Sequence, residues 1–124
     1  MRIIGTGDIV KIEDNRPYLN PTDRPSFRKG VAEKVYEKAR QDDIKEGGDG
    51  TVRDPHTREV LTWSPGQPRN GVWDMGHVEE EKYSEVHKKY LDGEMSPAEF
   101  RNWYNDPANY VPESPSANRS HKHE

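Results

Sequence analysis

Two short stretches hold most of the side chains able to do acid–base or metal chemistry. Trp73-Asp74-Met75-Gly76-His77 follows a turn-rich run from Ser64 to Gly71. The second stretch, Asn109 to Glu124, contains Glu113, Asn118, His121 and Glu124. In an extended segment Asp74 and Gly76 share a face and His77 points the other way, unless the backbone bends at Gly76. On a helix Asn118 and His121 are three apart and Glu124 is three further on, which puts them on one side. A carboxylate, an amide oxygen and an imidazole converging on one point make a hard-cation site with a potential base beside it. On residue chemistry alone, a structural or surface role is the commoner use of a lone histidine. Asn118 then faces solvent, and His121, Lys122 and His123 form a polar chain end.

The rest of the composition narrows the chemistry. There is no cysteine among the 124 residues, so disulfides, thiolate nucleophiles and cysteine-type zinc sites are excluded. The size fits one small domain. Leu, Ile, Val and Phe are few and charged residues reach 34%, which predicts a core-poor fold that gains stability from a metal or a partner. Eleven aromatic residues and a net charge of only −4 oppose disorder. No apolar run is long enough to span a bilayer, and no membrane partner is expected. The start, MRIIGTGDIV, lacks the basic and apolar regions of a secretory signal. The net negative charge falls within residues 79–108, and the flanks are neutral. This balance argues against a large basic nucleic-acid face but leaves room for a compact one.

The elements that must position the two stretches follow from periodicity and turn chemistry. Ile3, Ile4, Ile9, Val10 and Ile12 suggest a short strand or arm, and Gly5-Thr6-Gly7 reads as a turn. Phe27, Val31 and Val35 recur at helical spacing and predict a helix over about 25–41, capped by Asp23 with Pro25 in its first turn. Its outer face carries Arg28, Lys29, Lys34, Lys38 and Arg40. Thr51 to Trp63 reads as a hairpin turning at Asp54-Pro55. Val72 to His77 is a short extended segment. Tyr83, Val86, His87, Tyr90 and Leu91 predict a helix ended by Asp92-Gly93. Ser96-Pro97-Ala98-Glu99 is a capping box for a second helix, which stops at Asn105-Asp106-Pro107. Asn109 to Glu113 suits a strand, and Ser114-Pro115 opens a last helix.

Taken together, GVWDMGH, EFRNWYNDPANY and PESPSANRSHKHE resemble the GH-E branch of the HNH/endonuclease VII superfamily, nuclease tips of bacterial polymorphic toxins. The FRKGVAEKVYEKA helix and the TVRDPHTREVLTWSPGQPRNG hairpin are similar to it as well. The resemblance covers residues 24–124 and leaves 1–23 as an N-terminal arm or linker remnant. The family's turn commonly reads DPxTG, and Arg58 here replaces that glycine. The resemblance implies an α+β fold: a small single domain with a ββα-metal (HNH-like) finger, a β-hairpin and several short helices. The helices of 79–104 would be an insertion between the finger's strands. It implies that His77 is the general base, with Asp74 and Asn118 as ligands of one divalent metal ion. Glu113, His121 and Glu124 match further polar positions. Glu113 and Glu124 are candidate catalytic groups and His121 a candidate metal ligand, and which glutamate gives the family its name is left open. Mg²⁺ is the expected ion, with Mn²⁺, Ni²⁺ or Zn²⁺ also suited to a mixed oxygen–nitrogen set.

Phosphodiester hydrolysis needs an attacking water, charge neutralisation and a stabilised leaving oxygen. Arg69, Arg119 and Lys122 are the candidates for gripping phosphate. The expected activity is that of a metal-dependent endonuclease toxin cleaving target-cell DNA with little sequence preference. As a delivered effector it would act in the cytoplasm of the target bacterium, with a cognate immunity protein as partner. Glu79, Glu80, Glu81, Glu85, Glu94 and Glu99 then form an acidic face for that partner, or simply a solvated one. A ribonuclease on the same fold and a non-catalytic interaction module are the alternatives.

Overall fold

The computed structural model describes residues 2–4, 8–10, 14–78 and 82–119. The chain order is β1 (Arg2–Ile4), β2 (Asp8–Val10), α1 (Val31–Lys45), β3 (Asp74–His77), α2 (Tyr83–Leu91), α3 (Pro97–Tyr104), a 3₁₀ turn (Pro107–Asn109), β4 (Tyr110–Glu113) and α4 (Pro115–Arg119). β1 and β2 pair antiparallel with each other. β3 and β4 form a second antiparallel pair, with Asp74 opposite Glu113 and His77 opposite Tyr110. The expected insertion is present: α2 and α3 lie between these two strands in the chain. The mixture of short helices with a two-stranded pair fits the expected HNH-like α+β class. No described helix is long and apolar enough to cross a membrane.

The first helix begins six residues later than its periodicity predicts and ends at Lys45. Neither Asp23 nor Pro25 belongs to it. Its N-cap is Gly30, at φ 87°, with no side-chain cap. Residues 26–28 are instead held outside the helix by Asn105. The Asn105 Oδ1 accepts from the Arg28 N–H at 2.6 Å, and its Nδ2 donates to the Ser26 carbonyl at 3.2 Å. Phe27 belongs to the apolar stripe in sequence, yet it stacks on Tyr104 from outside the helix, with ring centroids 4.7 Å apart. Arg28 and Lys29 precede α1 and do not lie on its outer face. Lys38 and Arg40 pair with Asp42 and Glu37.

The hairpin at 51–63 is reduced to a bridge between Arg53 and Val60. The Leu61 N–H donates to the Val52 carbonyl at 2.9 Å, and the Asp54 N–H to the Glu59 carbonyl at 2.8 Å. Arg58 takes φ 64°. That left-handed conformation is the one a glycine adopts without steric cost, which explains why DPxTG ends as it does.

Two aromatic-rich clusters form the core. Val31, Val35, Val52, Leu61, Trp63, Trp73 and Tyr110 make one. Tyr83, Val86, Tyr90, Phe100 and Tyr104 make the other. Phe27 packs against both. The arm also has a seat, since the Arg16 guanidinium donates to the Tyr90 and Leu91 carbonyls at the end of α2. The capping box forms as predicted, with the Glu99 N–H donating to Ser96 Oγ and the Ser96 N–H to the Glu99 carboxylate.

A buried carboxylate ties the turn to the strand pair. Asp54 is fully buried and accepts from the backbone N–H groups of His56, Thr57 and Ser114 at 2.7, 2.8 and 2.7 Å. Burial pushes its pKa up, but these N–H groups and the Ser114 hydroxyl outweigh it, so the net shift is downward. Asp54→Ala should therefore destabilise the fold by about 3 kcal/mol or more, because three donors lose their acceptor. Asp54→Asn keeps one acceptor oxygen and should cost less. Urea unfolding of both variants measures the difference.

Candidate active site

The site grows out of the β3–β4 register. Asp74, Gly76 and Glu113 share one face of the pair. Gly76 does not bend the strand, and its φ is not positive. It serves by having no side chain, since a Cβ there would overlap the carboxyl group of Glu113. Glu113 is 1% exposed and occupies that space. Asn118 Nδ2 donates to Glu113 Oε1 at 2.8 Å, and His56 Nε2 lies 3.3 Å from Glu113 Oε2. One buried carboxylate thus joins the Asp54 turn, β4 and α4. α4 is positioned by Ser114, whose Oγ accepts from the Ala117 N–H at 3.2 Å.

A cleft of about 200 Å³ opens beside this group. Asp74, His77 and Asn118 line it, with Arg24 and Arg69. His77 sits on the seam between the two aromatic clusters. Its ring lies parallel to Trp103, 5.5 Å between centroids, and 4.8 Å from Tyr110. It is 8% exposed, and its Nδ1 is buried without a hydrogen-bond partner. Burial, helped by the Arg24 guanidinium, lowers its pKa to about 4. The imidazole is therefore neutral and able to accept a proton at physiological pH. Arg69 is held by its bond to the Trp73 carbonyl at 3.1 Å and lies over the Trp73 ring.

Of the residues chosen from sequence, Asp74, His77, Asn118 and Arg69 line the cleft, and Glu113 stands behind Asn118. Arg119 ends α4 in the backbone. Glu124, His121 and Lys122 lie outside the described residues, as do Glu79, Glu80 and Glu81. Glu85, Glu94 and Glu99 are exposed. Two participants escaped the sequence reading. His56 is hidden in the turn motif as its variable position. Arg24 precedes the helix and has no motif of its own.

A divalent metal would have to find its donors here. Asp74 and Glu113 are directly cross-strand, where two carboxylates repel unless a cation lies near. At the cleft the Asp74 carboxylate and the Asn118 amide oxygen are hard oxygen donors of the kind such an ion takes, whereas the Glu113 oxygens are engaged by Asn118 and His56. No three described His, Cys, Asp or Glu side chains are grouped closely enough to hold one by themselves.

A family model described as HNH/ENDO VII superfamily nuclease with conserved GHE residues, GH-E, matches residues 49–124. The matched span includes β3, β4 and α4. No solved structure matches the chain.

Two outcomes follow from this geometry. Gly76→Ala should cost about 1–3 kcal/mol, since Glu113 is buried and has little freedom to withdraw. Its thermal midpoint against the wild type gives the value. His77 should also make stability acid-sensitive. Its folded pKa lies below the ordinary 6.5, so its contribution is full above pH 6.5 and falls as pH drops towards 4, by about 3 kcal/mol in total. Urea midpoints between pH 7 and 4 should show this slope, and His77→Gln should flatten it.

Proposed function

This chain belongs to the GH-E family of HNH/ENDO VII superfamily nucleases, and from that premise we propose a metal-dependent endonuclease that cuts DNA with little sequence preference. Nuclease activity on nucleic acid is what membership carries. The finer reading rests chiefly on one observation: a neutral, buried histidine shares a cleft with two guanidinium groups, a carboxylate and an amide.

In this reading His77 takes the proton from the attacking water. Trp103 and Tyr110 fix its ring plane and keep bulk water from solvating a charged form. Arg69 faces the phosphate with its guanidinium anchored by Trp73. Asp74 and Asn118 would hold one divalent ion, with Mg²⁺ foremost and Mn²⁺, Ni²⁺ or Zn²⁺ compatible, and Glu113 would orient Asn118. When bound, that ion supplies neutralisation of phosphate charge and stabilisation of the leaving oxygen. Asn118 is oriented for this by the bond from its amide nitrogen to Glu113, which leaves the amide oxygen available. A site that grips backbone phosphates reads little sequence.

We further propose that the protein is a toxin domain used in interbacterial competition. It would be delivered to the cytoplasm of a target cell and held inactive in its producer by a cognate immunity protein. The resemblance of its motifs to polymorphic-toxin nucleases supports this role. The exposed Glu85 and Glu94 at the two ends of the α2 region offer a basic partner patch an acidic surface, which would raise the association rate more than the affinity.

His77→Ala should lower cleavage by about 10²–10⁴-fold, the range of a general base, while circular dichroism stays native. Plasmid and tRNA substrates, each with Mg²⁺ and with excess EDTA, separate DNase, RNase and non-catalytic readings. DNA should be cut to a smear with Mg²⁺ and left whole in EDTA. Persistence of cutting in EDTA would exclude the metal mechanism, and cutting of tRNA alone would exclude DNA as substrate.

A further inference from the structure

We propose that Arg24, contributed by a segment upstream of the family-matched residues, is a second phosphate-binding residue of the cleft. The inference rests on the nuclease reading and deepens it. Arg24 lines the same cleft as Asp74, His77, Arg69 and Asn118, although it precedes residue 49, where the family match begins. Its guanidinium sits 3.9 Å above the ring of Tyr83. No carboxylate among the described residues pairs with it. Its side chain also bonds to the Tyr104 hydroxyl, and a guanidinium parked on a ring face keeps its remaining in-plane N–H donors for a phosphate.

The segment that carries Arg24 is held in place at several points. Pro25 is buried, Phe27 stacks on Tyr104, and the Arg28 N–H is bonded to Asn105. The platform under the guanidinium is equally fixed, since Tyr83 is 2% exposed. Arg24 therefore reaches the cleft from one element while Arg69 reaches it from another. Two guanidiniums against the single Asp74 carboxylate leave the cleft lining positive in a protein of net charge −4, and that field suits the single charge of a phosphodiester more than a neutral ligand.

The test uses the full chain carrying His77→Ala, so that a short random-sequence DNA duplex is bound without being cut. The dependence of log K on log salt is measured with and without Arg24→Gln and Arg24→Met. Arg24→Met keeps an unbranched stem over Tyr83 and so guards against misfolding of the Gln variant. Arg16→Gln is the control, because that arginine is spent on the carbonyls of Tyr90 and Leu91. Loss of one phosphate contact should make the slope shallower by about 0.9. In the chain that keeps His77, the Arg24 substitutions should lower kcat/KM about ten- to a hundredfold, the range of a charge-assisted hydrogen bond. Arg16→Gln should leave the slope unchanged. Folded Arg24 variants with the parental slope and parental kcat/KM would overturn the inference alone. A wild type that neither binds nor cuts nucleic acid would overturn the nuclease reading together with it.

Discussion

The Asp54 carboxylate is the constraint on which the site depends. It lies in a tight turn, yet one of its oxygens accepts from the backbone of Ser114, sixty residues later in the chain. A buried charge is tolerable only when its lone pairs are filled, and here backbone N–H groups from two distant segments fill them. The same bonds set where His56 projects and where α4 begins. Glu113 precedes Ser114 directly, so the residue that meets both His56 and Asn118 is placed by the same contact. A small protein with little aliphatic core thus uses one charge to hold together three pieces that hydrophobic burial alone would leave loosely registered.

Aromatic packing supplies the second constraint. The two clusters share Phe27, and His77 lies along their seam. Stacking removes water from the imidazole and disfavours its charged form. Arg24 acts in the same direction through its field. The arrangement trades acid stability for an imidazole that stays neutral, a conflict of the kind expected at functional positions.

Much of this was legible in the sequence, and the exceptions have physical causes. α2, α3, β4 and the Ser114 start of α4 carry local signals: helical stripes, a capping box, and Ser-Pro. The Gly-His pair and Asn118 were found because their spacing belongs to a recognisable motif. Periodicity puts the start of α1 too early because Phe27 obeys the helical period for another reason, stacking on Tyr104 while Asn105 bonds the backbone on either side of it. Only a residue seventy-eight positions away reveals that. Asp54 and His56 read as turn residues, since nothing local shows that the turn is plugged into β4. Gly76 looked like a hinge, and its purpose emerges only when the Glu113 carboxyl is seen in the space it leaves.

The insertion of α2 and α3 between β3 and β4 also bears on how the protein reaches its active form. His77 and Glu113 belong to neighbouring strands, but the chain makes a long excursion through two helices before it returns. Joining the strands early would require closing that loop at an entropic cost before its own contacts exist. Local helix formation shortens the effective gap, so the α2–α3 unit is expected to condense first and β4 to dock afterwards. Until it docks, Gly76 faces no carboxylate and α4 has no anchor. On that route the β3–β4–α4 group is the last to assemble, and a partly folded chain carries His77 without the Glu113–Asn118 contact.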